Sequence, residues 1–235
     1  MATLRLNMKS MASQQAAIKH GTDQKAKSIS VFIALFFLAW AVRVLIYNSF
    51  DERLGSETLK WVSGAAFHLG LMAVPAFLYL KFVDRTRPLE YLKLNTNIAK
   101  GISRGLVISV VFFAAYYLYF GLIHQAKVDW HKGLRALSLA TIAEEILFRG
   151  FILGKLREVT GFWRANFITA FLFAAIHWPG WILLMGKSIT DVMKLSLSVF
   201  VLGLALGYML KRINSLWPCI FVHATNNFIA MIGLA

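Results

Sequence analysis

Two adjacent carboxylates interrupt an apolar run: Glu144 and Glu145, in Ala140-Thr-Ile-Ala-Glu-Glu-Ile-Leu-Phe-Arg149. The other nine of the eleven acidic residues fall in the N-terminal segment, in polar loops or at the ends of apolar stretches. With Arg149, the two glutamates put three ionisable groups into a stretch that reads as membrane-spanning. A centrally placed charge there costs roughly 2.5–3.5 kcal/mol, so the cluster needs a reason. Glu145 and Arg149 are four residues apart with the acid on the N-terminal side, a spacing that pairs them on one helix face. Glu144 then points about 100° away, as the carboxylate most in want of a partner. The spacing favours Glu144 as a chemically available group, while either member of the pair stays open as a base.

Two further apolar stretches carry matching intrusions. His177 closes Phe173-Ala-Ala-Ile-His177, and His223 opens His223-Ala-Thr-Asn-Asn227, where His223 and Asn227 share a face four residues apart. Singly, each imidazole reads as a packing histidine, and the Glu145–Arg149 pair as a device that fixes helix packing. Jointly they supply what hydrolysis needs: a base for water, an orienting or proton-carrying group, and donors for a developing oxyanion. Burial would raise a glutamate's pKa and suit it to act as a base near neutral pH. Two other polar residues sit in apolar stretches. Arg43 is within snorkelling distance of a span end and His68 reads as packing.

The elements that must position these groups follow from hydropathy. Apolar residues make up 58% of the 235-residue chain, well above the roughly 45–50% of soluble domains. Mean hydropathy is +0.63. Apolar stretches near 30–49, 61–82, 104–124, 134–154, 163–183, 190–210 and 216–234 approach the roughly 20 residues that cross a bilayer. Without water to satisfy the backbone, each should be a helix. The expected fold is therefore all-α: a polytopic transmembrane bundle of about seven spans. The net charge of +14 is explained by topology, since an N-terminus placed inside leaves about two thirds of the Lys and Arg in inside loops. Attraction to anionic lipid fits this charge, and no motif supports nucleic-acid binding.

Residues 1–28 are basic and polar and are expected to form a disordered tail ahead of an uncleaved signal anchor. Pro75 should kink the second span, Pro218 should open the last helix with Asn214 or Ser215 as its cap, and Trp61, Trp163 and Trp217 mark interfaces. The single cysteine, Cys219, offers neither a disulfide nor a Cys-based metal site and reads as a packed small hydrophobe.

The three elements Glu144-Glu145-x-x-x-Arg149, Phe173-x-x-x-His177 and His223-x-x-x-Asn227, in this order and each in a hydrophobic helix, resemble the signature of the CPBP family (CAAX protease and bacteriocin-processing, or ABI). That family includes the type II prenyl-protein endopeptidases. The resemblance covers roughly 134–234 and implies that residues 29–235 form one transmembrane peptidase domain. It further implies that Glu144 activates water with help from His177, that His223 and Asn227 hold the oxyanion, and that Glu145, Arg149 and Phe173 support them. The implied protein is an integral multi-pass membrane enzyme, in the cell membrane if bacterial, that cleaves a membrane-associated or lipid-anchored protein or peptide without a cofactor or metal. Two rival readings use the same cavity. One is a zinc-dependent metallopeptidase, although no His-Glu-x-x-His is present. The other is a transporter, scaffold or immunity protein.

Overall fold

The computed structural model describes residues 2–123 and 139–232. The start of the fourth expected span (134–138), the ends of the third and seventh, and the basic residues Lys127, Lys132 and Arg135 lie outside the described residues. Among those described, the architecture is an all-helical bundle. Helix α1 is Ala2–Asp51. Helix α2 covers 57–83, α-helical over Glu57–His68 and Val74–Leu78 with wide π turns at Leu69–Ala73 and Tyr79–Val83. Helix α3 begins as Ile98–Tyr116 and ends in the π turn Tyr117–Ile123. Helix α4 runs 139–160 as Leu139–Glu145, the π turn Ile146–Ile152, and Leu153–Thr160. Then come α5 (Phe162–Ala175), α6 (Ile189–Ile213) and α7 (Trp217–Met231).

The protein is an integral multi-pass membrane protein. Five helices are long and apolar enough to cross a bilayer: Lys19–Ile46, Thr58–Val83, Ile98–Phe120, Phe162–Leu184 and Ile189–Ile213. Their outward side chains are apolar, including Leu35, Leu38, Val107, Val110, Phe167 and Leu197. The other two expected spans are α4 and α7. Helix α4 carries four charged side chains between 144 and 155, and α7 has only 15 residues. These two helices hold the buried polar residues Glu145, Arg149 and His223 and pack against the other helices. Helix α4 packs against α1, α2, α5, α6 and α7, and α3 lies along α7.

Two departures from the expected elements have local causes. The structure draws α1 from Ala2, so it runs through the segment expected to be a disordered tail, which contains no proline and has the helix-favouring run Gln14-Gln-Ala-Ala-Ile18. At the junction between α6 and α7, Pro218 does sit in the first turn of α7, but neither Asn214 nor Ser215 caps it. Instead Asn214 adopts a left-handed conformation that ends α6, and Ser215 is fully buried against α3. Pro75 is accommodated as an expected irregularity, since the preceding turn, Leu69–Ala73, is a wide π turn.

Small residues set the helix spacing. A Cβ at Gly203 would lie 3.0 Å from the Cβ of Ala170, and one at Gly207 would collide with the Asn166 side chain. Glycines four apart on α6 thus let α5 approach closely, the membrane packing mode of small residues at the interface. Asn166, buried in that contact, donates to the carbonyl of Leu204 at 3.1 Å.

The basic ends of the helices meet on one side of the bundle, around Glu158. That carboxylate accepts from Tyr91 Oη at 2.7 Å, Lys155 Nζ at 3.0 Å and Lys25 Nζ at 3.0 Å, while Lys155 also reaches Asp84 at 3.1 Å. Burial raises the pKa of Glu158, but the hydrogen bonds from Tyr91, Lys155 and Lys25 outweigh it and hold the group below its usual value. A depressed carboxylate stabilises the fold above its unfolded pKa and loses that contribution as pH falls through the folded one. Glu158→Gln should therefore lower stability at pH 7 by about 1 kcal/mol, a partly exposed network being strongly screened. Thermal unfolding in detergent should show the difference from the parent shrinking below about pH 4.5.

Candidate active site

Arg149 and Glu145 form the buried base of the site, with side chains 1% and 0% exposed and Arg149 Nη1 3.0 Å from Glu145 Oε1. Arg149 lies within the wide turn Ile146–Ile152, all of whose residues are buried, and Glu145 immediately precedes that turn. A π turn inserts an extra residue into a helix and commonly occurs where a helix carries function. The guanidinium also lies over the Phe173 ring, 3.8 Å from its centroid. No guanidinium nitrogen has an aligned hydrogen-bond partner among the described residues. Its charge is therefore met by one carboxylate oxygen and one aromatic face.

The same Glu145 Oε1 lies 2.7 Å from His223 Nδ1. An ionised carboxylate only accepts, so the His223 Nδ1 carries the proton and donates it. One turn further along α7, Asn227 Nδ2 donates to Thr141 Oγ1 on α4 at 3.2 Å. Thr141 and Glu145 are four apart on α4, as His223 and Asn227 are on α7, so the two antiparallel helices are joined by two polar rungs.

Glu144 emerges on the adjacent face of α4, with its side chain 12% exposed. Its Oε2 is 3.7 Å from His223 Nε2 and its Oε1 is 3.9 Å from His68 Nε2. Both separations exceed a direct hydrogen bond and suit a bridging water. His68 Nδ1 lies 2.8 Å from the carbonyl of Gly64, and His177 Nδ1 lies 2.8 Å from the carbonyl of Phe173. Carbonyls accept only, so in both rings the proton sits on Nδ1 and the neutral form leaves Nε2 bare. The His177 ring is within electrostatic reach of Glu144, His223 and Arg149 and stacks on Trp181 at 5.2 Å.

Phe173 organises the centre. Its ring meets both His177 and His223 edge to face at 5.3 Å, in addition to Arg149. The structure therefore gathers Glu144, Glu145, Arg149, Phe173, His177 and His223. Asn227 lies on the same face of α7 but engages Thr141.

Three participants were not singled out for the site in the sequence. His68, read there as packing, faces Glu144. Trp40 supports it, meeting the His68 ring edge to face at 5.2 Å while its indole N–H bonds the Ile176 carbonyl at 2.8 Å. Thr141 carried one usable signal, its four-residue spacing from Glu145. Arg43, buried at 7% exposure, lies over the Phe67 ring at 4.7 Å.

No group of three or more His, Cys, Asp or Glu among the described residues is arranged to hold a metal ion. Cys219 is buried and donates to the Leu206 carbonyl at 3.2 Å, in keeping with a packed thiol.

A family model, type II CAAX prenyl endopeptidase Rce1-like, matches residues 126–229, the segment that carries the site residues from Thr141 to Asn227. No curated protein and no solved structure matches the chain.

The buried pair gives a direct test. Arg149→Met should leave Glu145 uncompensated and cost about 3–5 kcal/mol of stability. Denaturant unfolding in detergent micelles measures this, and a loss below about 1 kcal/mol, the range of an exposed pair, would contradict the pairing described.

Proposed function

Since the chain belongs to the CPBP family of membrane-embedded CAAX-type proteases, we propose that it is a glutamate-dependent intramembrane endopeptidase with Glu144 as the base. The observation that carries this reading is the division of labour between the two glutamates. Glu145 is committed to Arg149 and His223, whereas Glu144, among the described residues, faces imidazole Nε2 atoms beyond direct bonding distance.

The reaction follows from the donor and acceptor inventory. A water has two protons to give, and the bare Nε2 of His177 or His68 and the carboxylate of Glu144 are acceptors for them. Oriented in this way, its oxygen attacks the peptide carbonyl carbon as Glu144 takes one proton. The negative charge that develops on the carbonyl oxygen needs donors. His223 serves only with a proton on Nε2 as well as Nδ1, that is, as an imidazolium. Asn227 supplies the second donor after turning from Thr141. Collapse breaks the C–N bond, and Glu144 returns its proton to the leaving amine. No covalent intermediate and no metal takes part.

The substrate class is a membrane-associated or lipid-anchored protein or peptide whose scissile bond reaches this depth. Cleavage by protein reconstituted in vesicles tests the assignment. Glu144→Gln should lower the rate by about 10²–10⁴-fold, the usual contribution of a general base. An unchanged rate would refute the role. Activity should also survive a strong chelator, and its loss, restored by added Zn²⁺, would favour a metallopeptidase instead. His68→Phe, which keeps the aromatic packing on Trp40 but removes Nε2 together with the Nδ1–H bond to the Gly64 carbonyl, should slow cleavage about ten-fold, equivalent to roughly 1.4 kcal/mol, while costing no more than about 1 kcal/mol of stability.

A further inference from the structure

A cavity of about 480 Å³ opens on the basic side of the bundle, between the C-terminal halves of α4 and α6 and the loop carrying Tyr91 and Lys93. Four cations line it: Lys93, Arg157, Lys211 and, deepest along α4, Arg149. The acid in its wall, Glu158, is already engaged by Tyr91, Lys155 and Lys25. Lys211 lies over the rings of Phe162 and Trp163, at 4.3 and 5.1 Å, and Arg157 over Phe162 at 5.6 Å. Aromatic faces hold these heads in place without neutralising them.

Positive charge at the ends of helices has an ordinary use, the offset of the helix dipole. The C-termini of α4 and α6 each present roughly half a negative charge, which together account for about one cation. Glu145 accounts for Arg149. The remaining charge, on Lys93, Arg157 and Lys211, faces a concave space whose inner end is lined by Arg149. A compact anion with several acceptor oxygens fits this arrangement. Guanidinium and ammonium groups around one space are the usual means of holding phosphate. The level is also right for a lipid headgroup: Trp163 and the loop residues mark the end of the membrane-spanning helices, where basic pockets between helices take anionic headgroups.

We propose that this cavity is a binding site for a phosphate group, supplied by an anionic phospholipid headgroup. The proposal is independent of the peptidase reading, because binding can be measured in protein that cleaves nothing.

The test uses the full chain purified in neutral detergent, with thermal unfolding followed as phosphatidylglycerol, phosphatidylcholine or inorganic phosphate is added. Phosphatidylglycerol should raise Tm, and phosphatidylcholine should do so far less. In Arg157→Gln/Lys211→Gln the concentration for half the effect should rise about ten-fold or more, as expected for lost charge-assisted contacts. In a control with equal charge loss outside the cavity, Lys81→Gln/Arg85→Gln, it should stay unchanged. Should the double variant fail to fold, Lys93→Gln alone carries the same comparison. Inorganic phosphate acting as strongly as the lipid, and through the same residues, would keep the site and make free phosphate its ligand. Equal effects on cavity and control variants, or no shift with any phosphate-bearing ligand, would overturn the proposal.

Discussion

The buried contact among Arg149, Glu145 and His223 is the interaction on which the rest of the site depends. Taking a guanidinium and a carboxylate out of water costs several kcal/mol per ion, and the cost is met only when both are well partnered. Here the partners come from three helices: Glu145 and Arg149 from α4, Phe173 from α5 and His223 from α7. Satisfying the pair therefore fixes the relative placement of those helices. It also fixes the tautomer of His223 and leaves Glu144 outside the buried pair.

The helices carrying this contact are poorly suited to lipid. Helix α4 is too charged and α7 is short, so both need neighbours that present apolar surface outward and small or aromatic groups inward. Glycines on α6 allow the close approach of α5, which brings the Phe173 ring over Arg149. Phe32, Tyr79 and Phe151 form an aromatic cluster joining α1, α2 and α4, with ring centroids 4.7–5.7 Å apart. Helix α2 thereby delivers His68, on its third turn, to the open side of Glu144.

Much of this could be read in the sequence, for identifiable reasons. Charges and imidazoles in apolar stretches are costly and therefore conspicuous, which exposed Glu144, Glu145, His177, His223 and Asn227. Four-residue spacing then separated Glu145 from Glu144, and the structure has Glu145 with Arg149. His68 was less legible, since a lone imidazole on an otherwise apolar helix has no local partner to betray it; Glu144 is 76 residues away in sequence. Asn227 was legible as a neighbour of His223, but its bond to Thr141 depends on the antiparallel register of α4 and α7, which spacing within one helix cannot specify. The π turn that carries Arg149 leaves no composition signal, because its residues are as apolar as the α-helical turns around it.

The central claim is that two adjacent glutamates have separate duties, Glu145 structural and Glu144 chemical. The most direct measurement is the unfolding stability of Glu145→Gln and Glu144→Gln in the same detergent. Loss of the Glu145 charge strands a buried guanidinium, so its substitution should cost about 3–5 kcal/mol. The same change at Glu144, which stands outside the buried pair, should leave stability within about 0.5 kcal/mol of the parent. Equal losses, or a larger loss at Glu144, would contradict the account.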